Sequence, residues 1–309
     1  MTRTPSLLSL PEPILDESPA SWMLRLCQYH QSWPNQICDV LGLSKITDFD
    51  MELSLRSLQK LSFSTAVKKA SLSTLDGMFA HLRTYDARQA AFLLNSSSRG
   101  YSSYRYCPDC LREDPVPYWR FTWRMAYYQI CPSHRCVLLD RCFECGSMLE
   151  AFPVRKPGYF EGSDQPICRF CLTCSADLGQ CSAETLPDCK RLREVLALQR
   201  VVTAAVLYGE FYVHKVAGRF ALENLPMVLM MGALRWEESG GAQRQVDHGV
   251  GYSHLKTYIG KRKLMNASMT GGRNVISGDD HVADLCRSAN MAWKASFLNA
   301  IDEIRRMSN

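Results

Sequence analysis

Four pairs of soft metal ligands follow one another between residues 107 and 174 of this 309-residue chain: Cys107-x-x-Cys110, Cys131-x-x-His134, Cys142-x-x-Cys145 and Cys171-x-x-Cys174. A Cys-x-x-Cys or Cys-x-x-His turn aims two side chains at one point, and two such turns supply the four donors of a tetrahedral structural zinc site. The first two pairs, separated by residues 111–130, make one set, and the last two make a second. Four such pairs in succession rarely arise without metal, so two structural zinc ions are expected. In the second set "CFECGSML" and "CLTCSADL" share one form, a Cys-x-x-Cys, a small residue, two more residues and a Leu. That likeness selects Cys171 and Cys174 over the overlapping pair Cys168 and Cys171. Cys136, Cys181 and Cys189 fall outside both sets and read as small buried hydrophobes.

A metal held by four protein side chains has no open position for an activated water, so these sets predict clasps and not catalytic centres. None of the seven histidines is followed two residues on by Glu, which removes the nucleobase-deaminase signature. His-Glu-x-x-His, Gly-x-Ser-x-Gly and Gly-x-x-x-x-Gly-Lys are absent as well. Asp279-Asp280-His281 reads as acidic residues favoured at a helix N-terminus. No enzymatic activity is expected. The competing reading, a zinc-dependent nucleic-acid enzyme, needs a site with three protein ligands and a bound water.

The segments that must position these ligands fall into three zones, and the expected fold class is mostly α. Residues 1–104 read as an N-terminal helical, helix-turn-helix-like domain. There "ESPASWMLRLCQYHQ" opens with Ser18-Pro19, a cap and a first-turn proline, and places Trp22, Leu26 and Tyr29 on one face. "WPNQICDVLGL" follows after a brief turn, a pairing that suits a helix-turn-helix or an ordinary helical hairpin. Further helices are expected over "LSTLDGMFAHLR" and "DARQAAFLLN". Residues 105–181 read as tandem zinc-binding ribbons. Residues 182–309 read as a C-terminal helical domain, from "TLPDCKRLREVLALQRVVTAAVLYGEFYVHK" through "LPMVLMMGALRW" to a long closing helix ending in "AIDEIRRM".

Hydrophobic residues at 46% and charged residues at 22% place the chain among folded globular proteins. Its longest apolar run, "VVTAAVLYGEFYV", meets Gly209 and Glu210 before it reaches spanning length. No membrane segment and a cytoplasmic location are therefore expected, and there the 14 cysteines stay reduced and open to metal. A net charge of +5 permits contact with nucleic acid without demanding it.

The wording around the first set goes beyond spacing. "YCPDCLREDPVPYWRFTWRM" and "ICPSHRCVLLDRCFECGSMLE" resemble the TniQ/TnsD family of transposon target-selection proteins. The positions that carry the likeness are Cys107-Pro108-Asp109-Cys110, Tyr118-Trp119-Arg120, Trp123, Cys131-Pro132-Ser133-His134, Leu138-Leu139 and Cys142 to Gly146. "DESPASWMLRL", residues 16–26, is similar to the family's opening phrase, so the resemblance covers Asp16 to Leu178. Ser175 departs from it, since many relatives carry Gly there.

The resemblance implies an adaptor. Such a protein links a target-recognition complex, an RNA-guided Cascade of Cas proteins and guide RNA, to the transposon AAA+ ATPase TnsC and the transposase, with a homodimer implied by Cascade-bound relatives. The alternative within the family is a direct, sequence-specific DNA-binding protein at an attachment site. At 309 residues the chain is shorter than the large attachment-site readers, which favours the complex-bound role. The run "KTYIGKRK", with Lys256, Lys261, Arg262 and Lys263, is the densest basic stretch and a candidate contact for nucleic acid or a partner. The Tyr, Trp, Phe and Arg residues between 118 and 128 suit either a base-stacking platform or the hydrophobic filling beside a zinc, and the filling is the commoner use.

Overall fold

A computed structural model describes residues 10–41, 46, 48–53, 69–84, 93–97, 101–151, 166–213, 218–222, 225, 301–302 and 304–306. The chain divides into two compact units, Met1–Tyr208 and Gly209–Asn309. Among the described residues helices dominate, and the strands form two short antiparallel pairs.

Helix α1, Pro19–Tyr29, starts where the sequence places it: Ser18 Oγ accepts the Ser21 N–H at 3.1 Å and Pro19 occupies the first turn. It is enclosed almost all round, with Trp22, Met23, Leu24, Leu26 and Cys27 wholly buried. Tyr29, expected on the buried face, is 59% exposed because the helix ends there at the His30 cap. Helix α2, Pro34–Leu41, follows after the turn 30–33, buries Ile37 and Cys38, and leaves Asn35, Gln36 and Asp39 exposed.

Helix α3, Phe49–Glu52, is one turn capped reciprocally. Asp48 accepts the Asp50 N–H at 3.1 Å, and Glu52 accepts the Asp48 N–H at 2.9 Å. Helix α4, Lys69–Arg83, buries Leu72, Leu75, Met78, Phe79 and Leu82, the spacing of one helical face. It packs on α3 and on the long helix Lys190–Tyr208, labelled α6 below. The expected helix over "DARQAAFLLN" lies largely outside the described residues.

Among the described residues between α4 and α6 the chain is mostly irregular. Strand β1, Ser103–Tyr104, pairs with β2, Leu149–Glu150, in the register Ser103↔Glu150. Helix α5, Pro108–Glu113, follows β1, and α6 completes the first unit.

In the second unit the sequence reading is corrected. The helical region does not run on through "GEFYV": it stops at Tyr208, and Glu210–Val213 (β3) pairs with Gly218–Ala221 (β4) in an antiparallel hairpin. Gly209 takes a φ of +71°, which a continuing helix does not use, and the Phe-Tyr-Val run that follows favours a strand. Residues 301–302 and 304–306 are helical and bury Ile301 and Ile304, within the expected closing helix. "LPMVLMMGALRW" lies almost entirely outside the described residues. Among the described residues, no helix is long and apolar enough to cross a membrane.

Candidate metal centres

Three of the four ligand pairs are built on one backbone template. Each is a tight hairpin closed by a bridge from the residue before the first ligand to the residue six after that ligand: Ile130↔Val137, Arg141↔Met148 and Phe170↔Asp177. The first ligand's N–H donates to the carbonyl five residues on in each, from Cys131 to Cys136 (2.9 Å), Cys142 to Ser147 (2.8 Å) and Cys171 to Ala176 (2.9 Å). Four residues after that ligand the backbone turns left-handed, at Arg135 (φ 52°), Gly146 (φ 68°) and Ser175 (φ 65°). The fourth pair differs. Cys107 caps α5, its Sγ accepting the Cys110 N–H at 3.5 Å, so the first turn of a helix brings its two sulfurs together.

These turns gather Cys107, Cys110, Cys131 and His134 into one cluster and Cys142, Cys145, Cys171 and Cys174 into another, all donor atoms in each lying within 4.8 Å of one another. His134 Nδ1 is 3.3 Å from both Cys107 and Cys110 Sγ and 3.6 Å from Cys131 Sγ. In the second cluster Cys142 and Cys174 Sγ are 3.7 Å apart, as are Cys145 and Cys171 Sγ. Sulfurs bound to one tetrahedral zinc at ~2.3 Å stand about 3.8 Å apart. Both donor sets thus fit zinc, and the two clusters are positioned to bind two zinc ions.

The surroundings suit the metal too. His134 Nε2 faces the Glu113 carboxylate at 2.9 Å, which fixes the tautomer with Nδ1 free for the metal. Burial works against protonation of this imidazole, but Glu113 and the Cys131 sulfur outweigh it and raise it to about 9. The Cys131 thiol is lowered, by Cys107 first and then by Cys110 and Cys136. A zinc ion would replace these shared protons. Burial would also raise Cys145, yet Ser147 and the neighbouring Cys174 and Cys171 bring it down to about 6.

Cys168, the competitor for the second set, lies elsewhere. It is wholly buried, with Sγ 3.5 Å from Ser21 Oγ, and its carbonyl accepts the Trp119 indole N–H at 2.8 Å. Burial pushes its thiol up to about 12, so it serves as a packed α1 contact.

The aromatic run is filling. Tyr118, Trp119, Phe121, Trp123, Arg124, Tyr127 and Tyr128 are all buried, which leaves no face for a base to stack on. Arg120 lies over the Tyr118 ring at 4.6 Å and makes two bonds to Asp114, at 2.9 and 3.0 Å.

This run also binds the opening phrase of the chain. The Ser18 N–H donates to Trp119 O at 2.9 Å, the Phe121 N–H to Asp16 O at 2.8 Å, and the Tyr118 hydroxyl to the Asp16 carboxylate at 2.7 Å. The two phrases that define the resemblance are therefore two sides of one junction.

Residues 8–138, which span that junction and the whole first ligand set, match the TniQ family model. The chain carries a TniQ domain. No curated protein matches it. The match supports a transposition-associated role, in targeting or in DNA binding.

Two parts of the chain were not anticipated. Cys136 is no mere hydrophobe: its Sγ is 3.5 Å from Cys107 Sγ, and it groups with Cys107 and Asp109 as a third set of donors. The signal for it was the two-residue step from His134 to Cys136. Gln199, deep in α6, accepts the N–H groups of Gln129 and Ile130, each at 3.0 Å, just before the second ligand pair. The candidate contacts Lys256, Lys261, Arg262 and Lys263, and the Asp279-Asp280-His281 cluster, lie outside the described residues.

Proposed function

We propose that this protein is a transposition targeting adaptor, bound as a homodimer to an RNA-guided Cascade complex and recruiting the transposon ATPase TnsC and, through it, the transposase. The match of residues 8–138 to the TniQ family carries this reading. Two closed four-donor clusters support a scaffold in place of a hydrolytic centre.

The surface of the helical pair favours docking on a complex over direct reading of a duplex. The exposed residues of α2, Asn35, Gln36 and Asp39, include no cation. The single cation of α1, Arg25, is paired with Glu17 at 2.5 Å. A helix entering the major groove relies on Lys and Arg against phosphates for most of its affinity, and these two helices offer none free.

The test is affinity purification of the tagged protein from cells carrying the transposon, with and without nuclease. Co-purification of Cas proteins, guide RNA and the ATPase that survives deoxyribonuclease is the expected result. Recovery of attachment-site DNA alone, lost with deoxyribonuclease, would replace this reading with direct DNA binding.

A further inference from the structure

Beside the four donors of the first cluster lies a fifth sulfur, that of Cys136, which groups with Cys107 and Asp109. Cys136 Sγ is 3.5 Å from Cys107 Sγ, within the separation of two sulfurs on one zinc. It also contacts the Cys131 thiol. The Cys136 side chain has no solvent exposure, and its backbone is fixed twice, by the carbonyl that accepts the Cys131 N–H at 2.9 Å and by the bridge to Thr185.

His134 is the vulnerable ligand of this cluster. Its side chain is 21% exposed and is oriented by Glu113, itself 62% exposed, whereas Cys107, Cys110 and Cys131 are buried. His134 and Cys136 stand two residues apart on the same hairpin, on either side of the left-handed Arg135.

We propose that Cys136 is a reserve ligand: when His134 leaves the zinc, the Cys136 thiolate takes its position, and a site of three cysteines and one histidine becomes a site of four cysteines. In the exchange the zinc–nitrogen bond breaks and a zinc–sulfur bond forms. The Cys136 thiol proton moves to the released imidazole, or to water when the imidazole is missing. Nothing is oxidised or reduced. The first site thereby keeps its metal through events at the protein surface that dislodge the histidine, and the TniQ fold that depends on it stays closed.

The test compares His134→Ala, Cys136→Ala and the double variant in the full chain, loaded with zinc and, separately, with cobalt(II). Elemental analysis should find two zinc ions per chain in each single variant and about one in the double. In the cobalt form, the His134→Ala variant should gain sulfur-to-cobalt charge-transfer intensity equal to one further thiolate, and the double variant should lose the first-site spectrum. Loss of a zinc from His134→Ala, folded or not, would overturn the proposal. So would retention of both zinc ions by the double variant, since water or another group would then fill the position. Loss of zinc from Cys136→Ala alone would also overturn it, because a reserve ligand is idle in the parent protein.

Discussion

The side-chain amide of Gln199 is paired in both directions with the backbone of Ile130: Oε1 accepts the Ile130 N–H and Nε2 donates to the Ile130 carbonyl, each at 3.0 Å. Oε1 also accepts the Gln129 N–H at 3.0 Å. Ile130 precedes the ligand Cys131, so this one buried side chain ties α6 to the first zinc hairpin. Gln199→Leu would leave two backbone donors and one acceptor buried and unpaired, at a cost of about 3 kcal/mol. Gln199→Glu keeps the acceptor for both N–H groups but sets a carboxylate against the Ile130 carbonyl, and should be destabilised as well. Urea unfolding of the zinc-loaded chain measures both.

Removing a ligand that has no substitute should remove a metal. Cys107→Ala combined with Cys136→Ala takes one donor from a cluster in which every donor lies within 4.8 Å of the rest and removes the neighbouring sulfur, and should leave one zinc per chain. Cys174→Ala should do the same through the second cluster. Cys168→Ala should retain both ions, because that sulfur contacts Ser21 and belongs to neither cluster. Structural zinc contributes about 10–16 kcal/mol in small modules, so loss of the first ion should also open residues 105–140 to protease. Elemental analysis and limited proteolysis read the two effects.

Much of the ligand chemistry was legible because it is local. A Cys-x-x-Cys turn places its own donors, and the matching phrases around Cys142 and Cys171 reflect a shared hairpin. The buried run from Tyr118 to Tyr128 was likewise readable as filling from its density of aromatics. Contacts made across the chain were not readable. The pairing of Glu17 with Arg120 and the approach of Cys136 to Cys107 depend on which segments the two zinc sites draw together. Strand β3 was hidden at the end of a largely apolar run, where Gly209 and Glu210 interrupt it and the backbone at Gly209 turns left-handed.

The three hairpins share a left-handed residue but not its identity, and this predicts opposite signs for two substitutions. Gly146 has no atom within 4 Å of an added Cβ, so its need for glycine is conformational and not steric. Gly146→Ala should cost about 1 kcal/mol. Ser175 bears the same strain at φ 65°, and Ser175→Gly should recover a fraction of a kcal/mol, up to ~1, after the added freedom of the unfolded chain. Thermal melts of the two zinc-loaded variants against the parent should move in opposite directions.

A buried carboxylate adds a pH dependence that can be isolated from the metal. Asp50 has no exposure; its oxygens accept the Ala20 N–H at 3.0 Å and the Tyr104 hydroxyl, with Arg124 Nε at 3.4 Å. Burial, and then the charge of Asp48, push its carboxyl up against the pull of Arg124, Tyr104 and Ala20, to about 6 from the ordinary 3.8. The folded chain therefore holds a proton that the unfolded chain has released between pH 3.8 and about 6. The resulting stabilisation is fully present below the ordinary value and is lost as pH rises through about 6. Asp50→Asn cannot titrate. The stability of the parent relative to this variant should fall by about 1–3 kcal/mol from pH 4 to pH 7. Zinc loss in acid affects both proteins alike and cancels in the difference, so a flat difference would mean that Asp50 stays ionised beside Arg124 throughout.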